Sequence, residues 1–151
     1  MKPGRLCIDS IKRWESFRPK PYRDTGGVWT IGYGTIMYPN GKRVSKNDPA
    51  ITEQEAEKIM LYFLSRFAKG VDAATRDDIT QNQFDALCSF AYNIGIDQFR
   101  KSTLLKIANK SPNSPEIAVQ FMRWVYDNGE RVQGLVNRRK YESALYFSHL
   151  A

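Results

Sequence analysis

"WESFRPKPYRDTGGVWTIGYGT", residues 14–35, runs from the end of an amphipathic segment through two prolines into a glycine-laced stretch of β-branched and aromatic residues. Upstream, "RLCIDSIKRWE" puts Leu6, Cys7, Ile8, Ile11 and Trp14 near one helical face, which predicts a first helix from about Gly4 to Trp14. Glu15 then falls at or just past that helix's C-terminal end. Arg18-Pro19 and Lys20-Pro21 stop the helix and bias the chain toward extended structure. "VWTIGYGTIMY" and the turn signal "PNG" at 39–41 predict two or three short antiparallel strands between about Val28 and Val44. Glu15 and Asp24 therefore flank the turn from helix to sheet.

Beyond residue 50 the pattern is helical. Thr52 with Glu55 is a capping box opening "EQEAEKIMLYFLSRFAKGVDAA", and Thr80 with Gln83 repeats the device before "QNQFDALCSFAYNIG", ended by Gly95. "KSTLLKIANK" predicts a short helix. Ser114-Pro115-Glu116 opens "EIAVQFMRWVYD", which Asp127-Asn128-Gly129 ends. "LVNRRKYESALYFSHL" predicts the last helix. The fold class expected is α+β, mostly helical, as one domain over 1–151. Its small antiparallel β lobe spans about 15–50, and its larger helical lobe spans about 51–151 plus the N-terminal helix.

Composition narrows the function classes. A chain of 151 residues can bury its own core without disulfides or a metal, and its two cysteines, Cys7 and Cys88, read as reduced thiols. The formal charge of +7 favours a polyanionic partner, yet Lys and Arg are spread along the chain, with only "NRRK" clustered. There is no zinc pattern, RNA-binding signature or glycine-rich phosphate loop, so no nucleic acid is expected as partner. The N-terminal "MKPGRLCIDSIKRWE" lacks the apolar core of a signal peptide, and no run is long enough to insert in a membrane.

Two carboxylates flanking a gap are what glycosidic-bond hydrolysis needs: one protonates the leaving oxygen, the other activates water or stabilises positive charge. Trp14 and Phe17 beside Glu15 suit the acid, whereas Arg23, Thr25 and the glycines suit Asp24 as the ionised partner. Other features read two ways. Thr30 is a β-branched strand residue or a hydroxyl at the site; Gly32 and Gly34 allow a bulge or the close approach of a ligand. Trp14, Trp29 and Trp124 are core aromatics or sugar platforms, and Arg138 and Arg139 are a charged helix face or site residues. His149 is given no role.

The order of these residues is specific. Glu15, then Tyr22-Arg23-Asp24, then Gly27-Val28-Trp29-Thr30-Ile31-Gly32-Tyr33-Gly34 resembles the phage-type lysozymes, or endolysins, of glycoside hydrolase family twenty-four. "QFDALCSFAYNIG" is similar to that family's central helix and "GLVNRRKYESALY" to its Arg-rich C-terminal helix, so the resemblance covers roughly Leu6 to Phe147. It implies a general acid at Glu15, a water-activating or charge-stabilising Asp24 and a water-positioning Thr30. Arg138 would approach Glu15. Tyr92, Asn93 and Ser102 would line the sugar groove, and Gly34 and Ile36 would form its sheet wall. Two positions depart from the family: Thr35 stands where relatives place His after "GYG", and Ser16 where they place Gly after the glutamate. Histidine is therefore not expected in the chemistry, and a stabilising contact is expected to be missing or replaced. The polar segment "IMYPNGKRVSKNDPA" reads as an extended hairpin shaping the groove.

The resemblance implies a muramidase cutting the β-1,4 bond between N-acetylmuramic acid and N-acetylglucosamine of bacterial peptidoglycan, with no metal or organic cofactor. It implies a monomer made in the host cytoplasm and released to the wall by a separate pore former, a holin. The Asp24-x5-Thr30 spacing with the resemblance points to inversion. Thr30 has no histidine to activate it as a nucleophile, and an inverting pair leaves room for water, with carboxyl groups roughly 6.5–9.5 Å apart. The rival readings are a lytic transglycosylase on the same bond, a silent wall-binding module and a nucleic-acid binder.

Overall fold

The computed structural model describes residues 1–148, so His149 lies outside the described residues. The order of elements is α1 (Arg5–Glu15), β1 (Arg18–Arg23), β2 (Trp29–Gly32), α2 (Glu53–Ala74), α3 (Gln81–Ile94), α4 (Ile96–Lys101), α5 (Thr103–Lys110), α6 (Glu116–Phe121), β3 (Tyr126–Asp127), β4 (Glu130–Arg131) and α7 (Gln133–Phe147). Both sheets are two-stranded and antiparallel.

α3 is the axis of the helical lobe. Every side chain from Asn82 to Ala91 is buried, as expected of a helix surrounded on all sides. α1, α2 and α7 pack around it. Phe90 sits among aromatic edges, 5.4 Å from Phe121, 5.7 Å from Trp124 and 6.3 Å from Phe99 between ring centroids. The Cys7 and Cys88 thiols meet within hydrogen-bonding reach where α1 crosses α3, and both are fully buried. The capping boxes of α2 and α3 form as the sequence predicts, with each hydroxyl accepting from the third residue's amide and that side chain accepting from the cap's amide.

The β lobe differs from the expectation in one respect. Its first strand is "RPKPYR", upstream of the expected span, and β2 pairs with it through Tyr22–Thr30 and Arg23–Trp29. The prolines sit where the register slips between Arg18 and Tyr22, on an edge where their missing donors cost little. After β2 a tight reversal joins Ile31 and Thr35 by two backbone hydrogen bonds of 2.9 Å, and "PNG" closes a small loop with Met37 opposite Arg43. Asp48 then accepts from the Tyr38 hydroxyl and the Ser45 amide, both at 2.8 Å, which folds residues 36–50 over the sheet. Two further corrections lie in the helical lobe. Ile96–Lys101 forms its own helix, and the segment expected to continue as helix to Asp127 stops at Phe121. Asn128 and Gly129, at φ 51° and 79°, turn β3 into β4 rather than ending a helix.

α2, 22 residues long, joins the lobes. Tyr33 anchors the sheet to its first turn by donating to Glu53 at 2.7 Å, and Lys12 of α1 pairs with Glu57 at 3.1 Å. Burial, then the bond to Glu53, pushes the Tyr33 phenol up to about 12. A phenol held above its unfolded value contributes stability that is intact below pH of about 10 and is lost as pH rises toward about 12. Tm measured across that range should fall less steeply in Tyr33→Phe than in the parent; parallel curves would show that Tyr33 does not couple folding to pH.

Candidate active site

Glu15 is the last residue of α1, and its side chain is about one-fifth exposed. Two groups fix it. Arg138 of α7 donates from Nη1 to Glu15 Oε1 at 3.1 Å. On the other side lies the backbone of Gly34, where a Cβ would stand 2.8 Å from the Glu15 carboxyl carbon. Gly34 also has φ +74°, so only glycine lets the reversal after β2 lie against this carboxylate without strain. Tyr22 and Tyr92 both feel Glu15: burial first, then the Glu15 charge, raises each phenol, with Arg18 opposing at Tyr22 and Arg138 at Tyr92.

Asp24 closes the β1–β2 turn. Its Oδ1 accepts from the Gly26 and Val28 amides, both at 2.9 Å, while its own amide donates to the Val28 carbonyl at 3.0 Å. The carboxylate is thus held at one oxygen on an exposed turn, and Oδ2 is the oxygen left for other work. Thr30 is buried and donates its hydroxyl proton to the same Val28 carbonyl at 2.9 Å. Its oxygen can then only accept. Thr30 and Asp24 are coupled through Val28.

Behind Arg138 lies a buried charge network. Arg138 and Arg139 both face Glu142, at 3.5 Å and 2.7 Å. The shorter contact is a close ion pair without the alignment of a good hydrogen bond. Ser89 donates to Glu142 at 2.6 Å, with Ser10 3.0 Å from Ser89. Arg139 also donates to Asn93 at 2.9 Å. Burial pushes the Glu142 carboxyl up, and the two guanidiniums and Ser89 oppose it; burial pushes Arg139 down, and Glu142 opposes that. Arg138 thus lies between two carboxyl groups, Glu15 and Glu142.

Two cavities are lined by the residues that hold Glu15, one by Gly34 and the other by Arg138. One of about 310 Å³ is apolar and includes Gly34, Thr35, Ile36 and Tyr92 in its lining; the other, of about 710 Å³, includes Trp14, Thr25, Asn93 and Arg138. Ser102 joins neither. It is buried, donates to the Phe99 carbonyl at 2.7 Å and accepts from the Leu105 amide at 3.1 Å, so its hydroxyl is consumed capping α5. Of the tryptophans, Trp14 packs edge-on against Tyr141 at 6.0 Å and Trp124 against Phe90, while Trp29 lies under Arg23. The two departures also have structural counterparts. Thr35 is buried with its hydroxyl unpartnered. Ser16 adopts φ 56°, ψ 150°, a conformation suited to glycine. Glu142 is the partner that the sequence reading misses, although its i, i+3 and i, i+4 spacing from Arg139 and Arg138 in "RRKYE" is a readable signal. Among the described residues, no group of three His, Cys, Asp or Glu side chains is placed to hold a metal.

Ser16→Gly should relieve that backbone and raise stability by about 1 kcal/mol, net of the extra freedom glycine gives the unfolded chain. An unchanged or lower urea midpoint would show that Ser16 is unstrained. Glu142→Ala would leave Arg138 paired only with Glu15 and the buried Arg139 with no counter-ion, and should cost about 3–5 kcal/mol in the same denaturation experiment. A loss below about 1 kcal/mol, the range of an exposed pair, would mean the network is solvated.

The profile of the phage lysozyme family matches residues 12–142. The endolysin of Bacillus phage PZA is 41% identical over 150 residues, which are 98% of this chain but 56% of that protein, so the chain spans little more than half the length of this relative. Among solved structures, the endolysin of Escherichia coli O157:H7 phage FAHEc1 superposes with a TM-score of 0.88 at 37% identity, covering 97% of this chain and 94% of that one. The muramidase domain of SpmX from Asticaccaulis excentricus superposes with a TM-score of 0.83 at 29% identity, covering 98% and 99%. With its fold, its glutamate at the end of the first helix and a family profile spanning nearly its whole length, this chain belongs to the phage lysozyme family.

Proposed function

We propose that the chain is a muramidase that hydrolyses the β-1,4 bond between N-acetylmuramic acid and N-acetylglucosamine in bacterial peptidoglycan during phage-induced lysis. The observation that carries this reading is the seating of Glu15 between Arg138 and the Gly34 backbone, each of which lines a cavity. The names of its relatives, endolysin and muramidase domain, support it.

In this mechanism Glu15 gives its proton to the glycosidic oxygen as the bond to the anomeric carbon breaks. Water attacks that carbon from the opposite face. Thr30, its own proton committed to Val28, accepts a hydrogen bond from this water, and the free Asp24 oxygen takes the proton as the new bond forms. The product is inverted. Arg138 places the acid and Gly34 keeps its flank clear. Gly34, Ile36 and Tyr92 contact the sugars on one side and Asn93 on the other. Residues 1–151 act as one catalytic unit and as a monomer, with no nucleic-acid partner, and reach the wall through a pore made by a separate protein. Elution at the monomer volume and lysis only on co-expression of a pore former are the expected outcomes.

Digestion of purified sacculi should release muropeptides with reducing muramic acid ends, and proton NMR should show the α-anomer first. A 1,6-anhydro product would instead identify a transglycosylase, and an initial β-anomer would remove the water-positioning role of Thr30. Glu15→Gln cannot donate the proton, so turnover should fall by roughly 10²–10⁴-fold with Tm preserved. Near-normal turnover in a folded variant would overturn the assignment.

A further inference from the structure

α2 turns one face to water. Lys58, Leu61, Tyr62, Ser65, Arg66 and Lys69 recur at i, i+3, i+4, i+7, i+8 and i+11, the spacing of a single helical face, and all six are exposed. No acid falls between Lys58 and Lys69. Among the described residues none of the three cations pairs with a carboxylate, whereas the acids that bracket the stretch, Glu57 and Asp72, pair with Lys12 and the Met1 ammonium. Arg66 instead lies over the Tyr62 ring, 4.9 Å from its centroid. Between the cations, Leu61 and Tyr62 leave 36% and 37% of their surfaces in water. Beside Leu61 runs an apolar groove of about 430 Å³, walled by Ile8, Leu61, Leu64 and Ala68, which Lys2 and Lys69 also line. Phe63 and Phe67 of the same helix line the cavity beside Gly34 instead, so the groove is separate from it.

We propose that this face of α2 and its groove dock on a membrane surface of anionic phospholipid, with Lys58, Arg66 and Lys69 on the headgroup phosphates and an acyl chain along the groove. Charge and shape select that partner together. A polyol phosphate polymer would satisfy the cations but has nothing apolar for Leu61 or the groove. A neutral bilayer would cover the apolar groups and leave the cations unmet. An anionic bilayer does both: each basic side chain near such a surface strengthens binding roughly fivefold, and long basic stems lie along apolar surface while their charges reach the phosphates. Tyr62 suits headgroup depth, with an apolar ring and a polar tip. Among the described residues no helix is long and apolar enough to cross a membrane, so this attachment is to one side and reversible. The groove shares no lining residue with the two cavities beside Glu15, so a docked molecule keeps them open. The inference goes beyond the muramidase reading and does not depend on it.

Co-sedimentation with vesicles tests the proposal. The protein should bind equimolar phosphatidylglycerol and phosphatidylcholine and stay free of phosphatidylcholine alone. Lys58→Gln, Arg66→Gln and Lys69→Gln should each weaken binding by roughly fivefold, and Leu61→Ser by about tenfold. Because all four side chains are exposed, Tm and hydrolysis of sacculi in solution should be unchanged in these variants. Lys42→Gln and Lys46→Gln, at exposed cations of the sheet lobe, should bind as the parent does. Equal losses at those two positions would reduce the effect to net charge and overturn the proposal. So would equal binding to both vesicles, or binding to neither. Binding that Leu61→Ser leaves intact and that soluble polyglycerol phosphate abolishes would overturn it in favour of a polyanion. The groove has its own readout: methyl signals of Ile8 and Leu61 in isotope-labelled protein should broaden on vesicles that carry a nitroxide on the acyl chain. Sharp signals from vesicle-bound protein would overturn the placement of that chain.

Discussion

The ion pair between Glu15 and Arg138 joins residues 123 positions apart, and the site is arranged around it. Such a contact does not pay for its own formation. Closing a loop of that length costs roughly 4 kcal/mol in chain entropy, whereas a partly exposed ion pair returns about 1 kcal/mol or less. The closure must be carried by packing, and α7 against α3 supplies it through Val136, Leu145 and Tyr146. Glu142 makes that packing compatible with charge. Buried guanidiniums without a counter-ion would oppose docking; with Glu142 between them, Arg138 can be carried into the interior with one edge left over for Glu15. The placement of the acid is therefore a consequence of how the helical lobe solves its own electrostatics.

The small sheet contributes in a different way. It has little core of its own, and it is held to the rest of the chain by Tyr33, which packs in the main hydrophobic cluster and donates to Glu53, and by the Ile51 amide, which donates to the Pro19 carbonyl. Within it, hydrogen bonds converge on the Val28 carbonyl and on Asp24, so the carboxylate and the threonine keep a fixed relation even if the lobe shifts as a body. The helical lobe positions Glu15 and the sheet positions Asp24 and Thr30.

The parts of this design carried by local chemistry were readable in the sequence. α2 and α3 begin at their capping boxes because a hydroxyl and a carboxylate or amide three residues on satisfy the helix's orphan donors without outside help. Glu15, Asp24 and Thr30 stand out as candidates through the family resemblance that their order carries, not through spacing alone. Elements that depend on distant partners were not. β1 looks like a helix stop because its prolines disfavour a strand, and only β2 makes it one. α6 ends early because Trp124 turns in to meet Phe90, a contact between residues 34 positions apart. The β3–β4 turn did carry its signal, Asn-Gly between two extended residues, but the same residues also end helices. Ser102, matched to a groove position by the resemblance, uses its hydroxyl at the α4–α5 junction, a bond that the motif alone does not reveal.

The thiols of Cys7 and Cys88 play no part in the site, and their burial has a use of its own. Both have zero exposure, and burial holds the Cys88 thiol far above the range in which a thiolate forms. A thiol reagent in solution reaches neither until α1 parts from α3. Because those helices meet at the centre of the core, such parting is global rather than a fraying of an end. The rate at which the chain takes up a thiol label is then a clock for whole-molecule opening, running in water without denaturant and reading molecules that every optical probe would report as folded.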